Sequence, residues 1–562
     1  MKENVVSVLK NALSEVGVSF DEKQIDDLIE IPPQVSMGDF AFPCFSLAKE
    51  LKKSPQQIAL DVRSYITKTP KGFSEVMTSG PYINFYLDKK KLAVNLINEV
   101  SEKGGAFGKV SKKQKTMIEF PSPNTNKPLH LGHLRNMSIG QSVSRILKFS
   151  GNEVVRANLT NDRGIHICQS MLGYQKWGDG QRPEDAGKKP DHFVGDYYVK
   201  FTQNSDEELE KEAQEMLKKW ESGDKETYEL WEIMRRWALK GHRETYNKFG
   251  IKVDKDYFES DIYSKGKELV EEGLEKGVFY KTENGSVAVD LSEEGLGEKI
   301  LLRSDGTSVY MTQDLYLANL KFEEYDLDKS IYVVDYRQNY HFEALEAILR
   351  KLDKGSGGNI YHLSYGVLGL PEGKMSSRKG NVVGADDLID EVQDLVRDSL
   401  KERGESENLE EKSLKIALAS IKYMLLKVDS KKDTVFDPKE SINFEGDTGP
   451  YMQYTYARAS SILEKGGIPE NWQVFDLEEK EIELLKKLYN FSEVVQKSYK
   501  KLDPSLVAHY SYELSQIFNE FYHECKVVGS EKEGFRLKLV EAFRQVLKNS
   551  LWLLGIEVME KM

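Results

Sequence analysis

His130, Gly132 and His133 are the first residues of this chain whose types and spacing could do chemistry. At the start of a helix, two histidines three residues apart place their imidazoles on one face. Gly132 has no Cβ, so a flat ring or a phosphate could approach the backbone there. The unpaired N–H groups at a helix start also favour an anion. The pattern predicts a phosphate site, although the same two histidines could simply cap the helix.

The residues around this motif predict a strand, a loop and a helix. Residues 116–120 are apolar or β-prone, and three prolines then interrupt regular structure. Apolar residues return at helical spacing from Leu134 to Leu147, and Gly151 is placed to end the helix. A strand that feeds a helix through a polar loop is half of a nucleotide-binding βαβ unit, with ligands outside the carboxyl end of the strand.

The rest of the chain predicts a multidomain α/β plus α protein. Residues 113–384 alternate strands with helices, which indicates a Rossmann-like, doubly wound parallel sheet with a helical insertion at about 170–255. Its further strands are predicted at 153–159, 286–291, 330–336 and 359–368. Residues 1–110 are interpreted as an N-terminal α/β module that contacts a partner, and 385–562 as a helical bundle.

A second basic motif, KMSSRKG at residues 374–380, follows the last predicted strand. A basic loop at that end of the sheet could clamp a polyphosphate and neutralise a leaving pyrophosphate. A solvated basic turn is the usual alternative for such a run of charge. The order of strand, HxGH, helix and KMSS at the same predicted end of one sheet favours the phosphate clamp.

Three other groups of polar residues stand where ligands could bind. Tyr310 and Asp314 are four residues apart, and Gln338 and His341 directly follow a predicted strand. Asp314 could equally be an acid in the first turn of a helix, and Gln338 a loop cap. The third group places tyrosines and an arginine on adjacent helical turns, which suits unstacked RNA bases but also suits a core helix. It comprises Tyr451, Tyr454 and Arg458.

Composition excludes several classes of protein. A hydrophobic content of 39% and a charged content of 30% are typical of an ordinary soluble protein, and no apolar run reaches transmembrane length. The net charge of −13 argues against indiscriminate nucleic-acid binding, but not against a tRNA met by a local basic face. The three cysteines are too scattered for a disulfide framework or a zinc site. We expect a cytoplasmic protein without a membrane partner.

HLGH followed by KMSSR resembles the two signatures of class I aminoacyl-tRNA synthetases. The wider sequence is similar to the arginyl-tRNA synthetase family over nearly the full length, in EFPSPNTNKPLHLGHLRN, SDGTSVYMTQDL, KMSSRKGNVV and GPYMQYTYAR. The resemblance implies that the carboxylate of L-arginine attacks the ATP α-phosphate, giving arginyl-adenylate and diphosphate. The arginyl group then passes to tRNA(Arg). It also implies Mg²⁺ with ATP, no zinc and a monomer.

The resemblance assigns roles position by position. The catalytic positions are His130, Gly132, His133, Lys127 and Lys374, and ATP would also contact Met375, Ser376, Ser377 and Arg378. The arginine pocket falls on Glu119, Asn124, Tyr310, Asp314 and Gln338, with Glu259 as a further acid. Tyr454, Arg458 and Met562 match positions near the anticodon, and no residue is assigned to a metal. A carboxylate such as Asp314 can take the guanidinium fork bidentately.

One departure and three alternatives stay open. Ser377 stands where the class signature has a second lysine, and Lys127, Arg378 or Lys379 could supply that charge. A class I synthetase for another amino acid is the nearest alternative, but Asp314 with Glu119 favours a cationic substrate. A silent RNA-binding paralogue would have no need of a pyrophosphate clamp. A small-molecule nucleotidylyltransferase would lack the large helical C-terminal domain.

Overall fold

The structure is a computed structural model that describes residues 1–32, 37–371 and 383–562. It divides into two compact units, each made of several chain segments. The first unit comprises Met1–Gly104, Ile462–Tyr489 and Ile517–Gln545, and the second Gly105–Ser461, Asn490–Gln516 and Val546–Met562. Six residues to which the sequence assigns or offers a phosphate-binding role lie outside the described residues. They are Lys374, Met375, Ser376, Ser377, Arg378 and Lys379.

The N-terminal part of the first unit is an α/β module around a three-stranded antiparallel sheet. Its elements are α1 (Lys2–Glu15), α2 (Glu22–Leu28), β1 (Phe40–Pro43), α3 (Ala48–Leu51), α4 (Pro55–Tyr65), β2 (Phe73–Ser79), β3 (Tyr82–Leu87) and α5 (Lys89–Lys103). Strand β3 lies between β1 and β2. The apolar side of α1, with Val5, Leu9 and Leu13, is buried in the core of this module.

A five-stranded, all-parallel sheet forms the centre of the second unit. In chain order the elements are β4 (Lys115–Glu119), α6 (Leu131–Phe149), β5 (Glu153–Thr160), α7 (Ile165–Trp177), α8 (Pro190–Asn204), α9 (Glu207–Glu221), α10 (Lys225–Phe249), β6 (Lys255–Phe258), α11 (Glu259–Ile262), α12 (Lys267–Glu275), β7 (Tyr280–Lys281), β8 (Val287–Leu291), β9 (Gly297–Leu302), α13 (Tyr310–Tyr325), β10 (Lys329–Asp335), α14 (Asn339–Lys351), β11 (Ile360–Tyr365) and β12 (Leu368–Gly369). The strand order of the sheet is β11-β10-β4-β5-β6, and every neighbouring pair is parallel.

Two predicted strands are corrected, and one strand was not predicted. The predicted strand at 359–368 ends at Tyr365 as β11, and Leu368–Gly369 (β12) pairs in a separate two-stranded sheet. The predicted strand at 286–291 is present as β8, but it pairs antiparallel with β7 and β9 in a separate sheet. The parallel sheet instead contains β6, which the sequence did not predict because its four residues, KDYF, form no apolar run. Only Tyr257 of that strand is buried, since β6 lies at the edge of the sheet.

Helix α6 follows β4 and carries the histidine motif at its start. The periodic residues that predicted the helix, from Leu134 to Leu147, are buried, and the helix ends before Gly151, whose φ is +93°. A left-handed φ of this kind favours glycine. Gly140 in mid-helix faces the Phe120 ring so closely that an added methyl group would overlap it. This contact sets how near α6 lies to the end of β4.

The remaining elements are almost entirely helical. They are α15 (Ala385–Glu402), α16 (Leu409–Leu426), β13 (Thr434–Val435), α17 (Pro438–Ser441), α18 (Gly449–Gly466), α19 (Glu479–Tyr489), α20 (Phe491–Lys501), α21 (Ser505–Glu524) and α22 (Glu533–Leu553). None of the helices among the described residues is long and apolar enough to cross a membrane. The boundaries predicted for the three domains stay predictions.

We expect Gly140→Ala to destabilise the protein by about 1–3 kcal/mol, because the added methyl group overpacks the core against Phe120. Gly105→Ala is the matched control, since a Cβ there would meet open space and the residue has no left-handed φ. It should change stability by less than about 0.5 kcal/mol. Denaturant unfolding measures both variants, and equal stability losses would contradict the proposed contact.

Candidate active site

The parallel sheet brings most of the predicted ligand-binding residues to one edge. Glu119 is the last residue of β4, Glu259 directly follows β6, and Gln338 ends a 3-10 turn directly after β10. Asn124, in the loop after β4, is held to the loop after β5, because the Asn161 side-chain amide donates to its oxygen at 2.9 Å. In an open parallel sheet, ligands bind outside these carboxyl ends.

His130 and His133 form a reciprocal cap at the start of α6. The backbone N–H of Gly132 donates to Nδ1 of His130 at 3.1 Å, and the backbone N–H of His130 donates to Nδ1 of His133 at 3.1 Å. Both Nδ1 atoms are therefore acceptors, and in the neutral imidazole the proton lies on Nε2. The two imidazoles cap the helix and also retain an Nε2–H donor each, so capping and phosphate binding are compatible.

The surroundings keep both imidazoles neutral. Burial, with a smaller effect from Lys127, lowers the pKa of His130 to about 4. Burial also lowers the pKa of His133 well below its ordinary value, with His130, His242 and Lys127 adding to the effect. Lys127 is half-buried, and burial lowers the pKa of its ammonium too. Near neutral pH the site therefore presents two neutral N–H donors beside a lysine.

Glu119 is the predicted arginine contact whose surroundings differ most from expectation. Its carboxylate forms a buried ion pair with Lys321, which projects from α13. The Lys321 ammonium also lies 4.3 Å from the centre of the Tyr332 ring. Burial alone would lower the pKa of Lys321, but the Glu119 carboxylate and the Tyr332 hydroxyl together outweigh it and the pKa is raised. The charge of Glu119 is thus already balanced within the protein.

Lys321 is not among the residues predicted from the sequence. The only feature that could have drawn attention to it is its place two turns after Asp314, at the end of the mostly apolar run LYLANLK of α13. A lysine there reads as a solvent-exposed residue, because its partner Glu119 is some 200 residues away in the chain. The contact follows from the sheet order and from no local pattern.

Asp314 and Glu259 form the acidic part of the site. Tyr310 begins α13 with 76% of its surface exposed, and Asp314 follows one turn later. Nε2 of His341 lies 2.6 Å from Oδ2 of Asp314, which joins the starts of α13 and α14. Burial raises the pKa of Glu259 to about 7; Arg163 opposes this rise, and the carboxylates of Asp162 and Asp314 add to it. These acids lie close enough to repel each other, so a bound cation would stabilise them.

The predicted tRNA contacts lie in the C-terminal region. The Arg458 guanidinium lies 4.9 Å from the centre of the Tyr454 ring, one turn earlier on α18, and Tyr454 is exposed. The chain end runs along the same helix: the Tyr456 hydroxyl donates to Glu560 at 3.0 Å, and the Gln453 amide donates to the Glu557 carbonyl at 2.7 Å. Met562 follows two residues after Glu560.

Comparisons with known proteins identify the family. The model of "tRNA synthetases class I (R), catalytic domain" matches residues 96–438, "Arginyl tRNA synthetase N terminal domain" matches 3–87, and "DALR anticodon binding domain" matches 452–562. Among curated proteins, the arginine–tRNA ligase of Treponema denticola is 46% identical over 557 residues, covering 95% of this chain and 94% of the relative. The chain belongs to the class I arginyl-tRNA synthetase family.

Other relatives agree with this identification. The arginine–tRNA ligase of Bacteroides thetaiotaomicron is 41% identical, with 99% of both chains covered. The solved arginyl-tRNA synthetase of Thermus thermophilus superposes with a TM-score of 0.84 at 26% identity over 100% of both chains. The family resemblance and the predicted fold class are confirmed: a parallel-sheet catalytic domain, an N-terminal module and a helical C-terminal domain.

We expect Lys321→Met to destabilise the protein by about 3–5 kcal/mol, because it leaves the Glu119 carboxylate buried without its counter-charge. The double variant Glu119→Gln/Lys321→Met should recover most of that loss. Lys255→Met is the control. The half-exposed Lys255 pairs with Glu324, which lies on α13 as Lys321 does, and the substitution should cost at most about 1 kcal/mol. Denaturant unfolding would contradict the buried pair if the two single variants were equally stable.

Proposed function

We propose that this chain ligates L-arginine to tRNA(Arg) through an arginyl-adenylate, using ATP and releasing AMP and diphosphate during translation. The observation that carries the proposal is the meeting of two sets of groups at one sheet edge. One set is the pair of neutral imidazoles at the start of α6, and the other is the acidic group of Asp314 and Glu259. The first suits the phosphates of ATP, and the second suits a guanidinium.

The reaction needs no nucleophile from the protein. A carboxylate oxygen of arginine forms the bond to the α-phosphorus of ATP, and the bond from that phosphorus to the diphosphate breaks. The protein then contributes position and electrostatic stabilisation. His130 and His133 would donate through Nε2–H to phosphate oxygens, and Lys127 would add positive charge beside them. Lys374 and its neighbours would hold the diphosphate from the segment outside the described residues.

Magnesium would arrive with ATP and neutralise phosphate charge. The groups that His130 and His133 present are N–H donors, which bind phosphate oxygens and cannot ligate a metal. The phosphates themselves would hold the ion.

The arginine pocket would take its charge from Asp314 and Glu259. Because the Glu119 carboxylate pairs with Lys321, it would act mainly as a fixed acceptor beside the substrate. Asn124, Tyr310 and Gln338 would add polar contacts around the substrate. A guanidinium near Asp314 would also stabilise ionised Glu259, whose pKa of about 7 leaves it partly protonated near neutral pH.

In the C-terminal region, Tyr454, Arg458 and Met562 would contact the anticodon. The exposed Tyr454 ring offers a stacking face, and Arg458 lies over the same ring. The proposal also includes a cytoplasmic location and a monomeric state. Cell fractionation and light scattering coupled to size-exclusion chromatography would check these two points.

The direct test of the function is amino-acid-dependent pyrophosphate–ATP exchange across the standard amino acids, with and without bulk tRNA. Of the standard amino acids, only arginine should support exchange. Exchange supported by another amino acid, and not by arginine, would overturn the assignment of the substrate.

Asp314→Asn should raise the KM for arginine at least about tenfold, because it removes the charge that pairs with the guanidinium, and such bonds are worth ~1.5–3 kcal/mol. The KM for ATP should stay near its original value. Asp305→Asn, in the exposed turn before α13, is the matched control and should leave both constants unchanged. Citrulline is isosteric with arginine but uncharged, so its activation by the wild-type protein as efficiently as arginine would refute the acidic pocket.

Lys127→Ala tests whether this residue supplies the charge that Ser377 lacks. We expect it to lower kcat of activation about 10²-fold, on the scale of losing one group that stabilises developing charge, with the KM for arginine unchanged. Adding Ser377→Lys should restore part of the lost rate. No restoration, together with a larger defect in Lys379→Ala, would move the role to the KMSSRKG segment.

A further inference from the structure

A cluster of charged side chains joins α8 and α10, two helices of the predicted insertion at about 170–255, to the start of α15. The Lys189 ammonium, just before α8, donates to Asp191 at 3.0 Å and to the Thr245 hydroxyl of α10 at 2.7 Å. It also donates to Asp386, in the first turn of α15, at 2.9 Å. Lys189 thereby connects three helices through one buried network.

Asp386 is the group on which this network converges. Besides Lys189, it accepts from the Thr245 hydroxyl at 3.1 Å, and Nε2 of His192 lies 3.2 Å from its carboxylate. Burial would raise the pKa of Asp386, but the bonds from His192 and Lys189 outweigh it and hold the pKa well below the usual range. In return, the bond to Asp386 raises the pKa of His192. Asp386 is a buried, ionised carboxylate with fixed donors.

The residues directly before Asp386 are bonded to the histidine motif. The Leu131 N–H donates to the Val383 carbonyl at 2.9 Å, and the Ala385 N–H donates to the Leu129 carbonyl at 2.9 Å. These two bonds make an antiparallel bridge between His130 and Gly384. A displacement of Asp386 would therefore shift the backbone on both sides of His130.

The same insertion helices also contact the loop before the histidines. Nε2 of His242, on α10, donates to the Lys127 carbonyl at 3.0 Å. Gly195, on α8, lies so close to Pro128 that a methyl group there would overlap the proline ring. The insertion thus holds the histidine loop by one route directly, and by a second route through Asp386.

The cluster also has the geometry of a cation site. Asp191, His192 and Asp386 each offer one ligand atom, and these atoms lie within 4.8 Å of one another. The Lys189 ammonium bonds to both of the carboxylates, so a positive charge already stands among them. The described structure therefore accounts for the acidic residues without a metal.

We propose that Asp386 is a positioning residue for the activation step. By fixing the start of α15, it holds Val383–Ala385 against Leu129–Leu131 and so sets the position of the His130 imidazole relative to the ATP phosphates. The inference rests on the proposed function, because it assumes that His130 donates to phosphate. Its effect falls on kcat, since an error of about 1 Å in such a donor can cost on the order of 10²-fold in rate. Ground-state binding of arginine at Asp314 involves other elements.

The decisive comparison is Asp386→Asn against Asp390→Asn. Asp390 lies one turn further along α15 and is 61% exposed. It pairs with Lys248 of α10, the helix that also carries Thr245. The two substitutions thus make the same charge change between the same two helices. We expect Asp386→Asn to lower kcat of pyrophosphate exchange about 10- to 100-fold, with KM values for ATP and arginine within about threefold of wild type. Asp390→Asn should retain kcat within about twofold.

Two further variants separate positioning from loss of the fold. Thr245→Val removes a hydroxyl bonded to both Lys189 and Asp386 without a change of charge, and we expect a several-fold lower kcat with a melting temperature that falls by at most a few degrees. Lys189→Gln combined with Asp386→Asn should lose little more rate than either single change, since partners in one network are not additive. If Asp386→Asn does not fold, Thr245→Val decides the matter.

Several outcomes would overturn the inference. One is a folded Asp386→Asn protein with kcat equal to that of Asp390→Asn, and another is a Thr245→Val protein with wild-type kcat. A third is evidence that the cluster is a metal site. In that case calorimetry would show stoichiometric binding of Zn²⁺ or Mn²⁺ to the wild type and none to Asp386→Asn, and the bound metal would raise the wild-type kcat. If the wild type activates an amino acid other than arginine, the proposed substrate fails, and the same kcat comparison with that amino acid still tests Asp386.

Discussion

The start of α6 is the constraint on which the rest of the site depends. A helix start leaves backbone N–H groups without partners, and here two of them are satisfied by Nδ1 of His130 and Nδ1 of His133. That bonding fixes the tautomer of both rings. A neutral imidazole is also far cheaper to bury than a charged one, in agreement with the lowered pKa of both side chains. The requirement of the helix for a cap therefore produces the donors that a phosphate needs.

Four acidic residues of the second unit fall into two kinds. Glu119 and Asp386 are each paired with a lysine from a distant part of the chain, so each carboxylate has a cationic partner within the protein. Among the described residues, Asp314 pairs with His341 and with no lysine or arginine, and Glu259, whose pKa is raised mainly by burial, forms no ion pair. Unbalanced negative charge thus remains at the edge of the sheet where an arginine side chain would bind. In the proposed function, specificity for a cation would follow from this difference between the acids.

The sequence predicts the parts of this arrangement that depend on local pattern. The strand before the histidines, α6 and its end at Gly151 follow from apolar spacing and turn residues. The partners of Glu119 and Asp386 could not be predicted, because each pair joins residues about 200 positions apart and depends on which elements meet. Strand β6 was missed for a related reason, since an edge strand buries too little to need an apolar run. The assigned arginine and ATP contacts stay predictions.

Buried ion pairs are a poor source of stability, because the cost of desolvating both charges offsets most of their attraction, and an apolar pair of similar volume is often as stable. What a charged pair adds is direction: a carboxylate held by fixed donors can occupy only one orientation. The Lys321–Glu119 pair fixes the end of β4, and the Lys189–Asp386 pair fixes the start of α15. Both positions adjoin the loop that carries the histidines. Catalysis by positioning needs such fixed points, since the reacting groups belong to the substrates and the protein can only hold them in place.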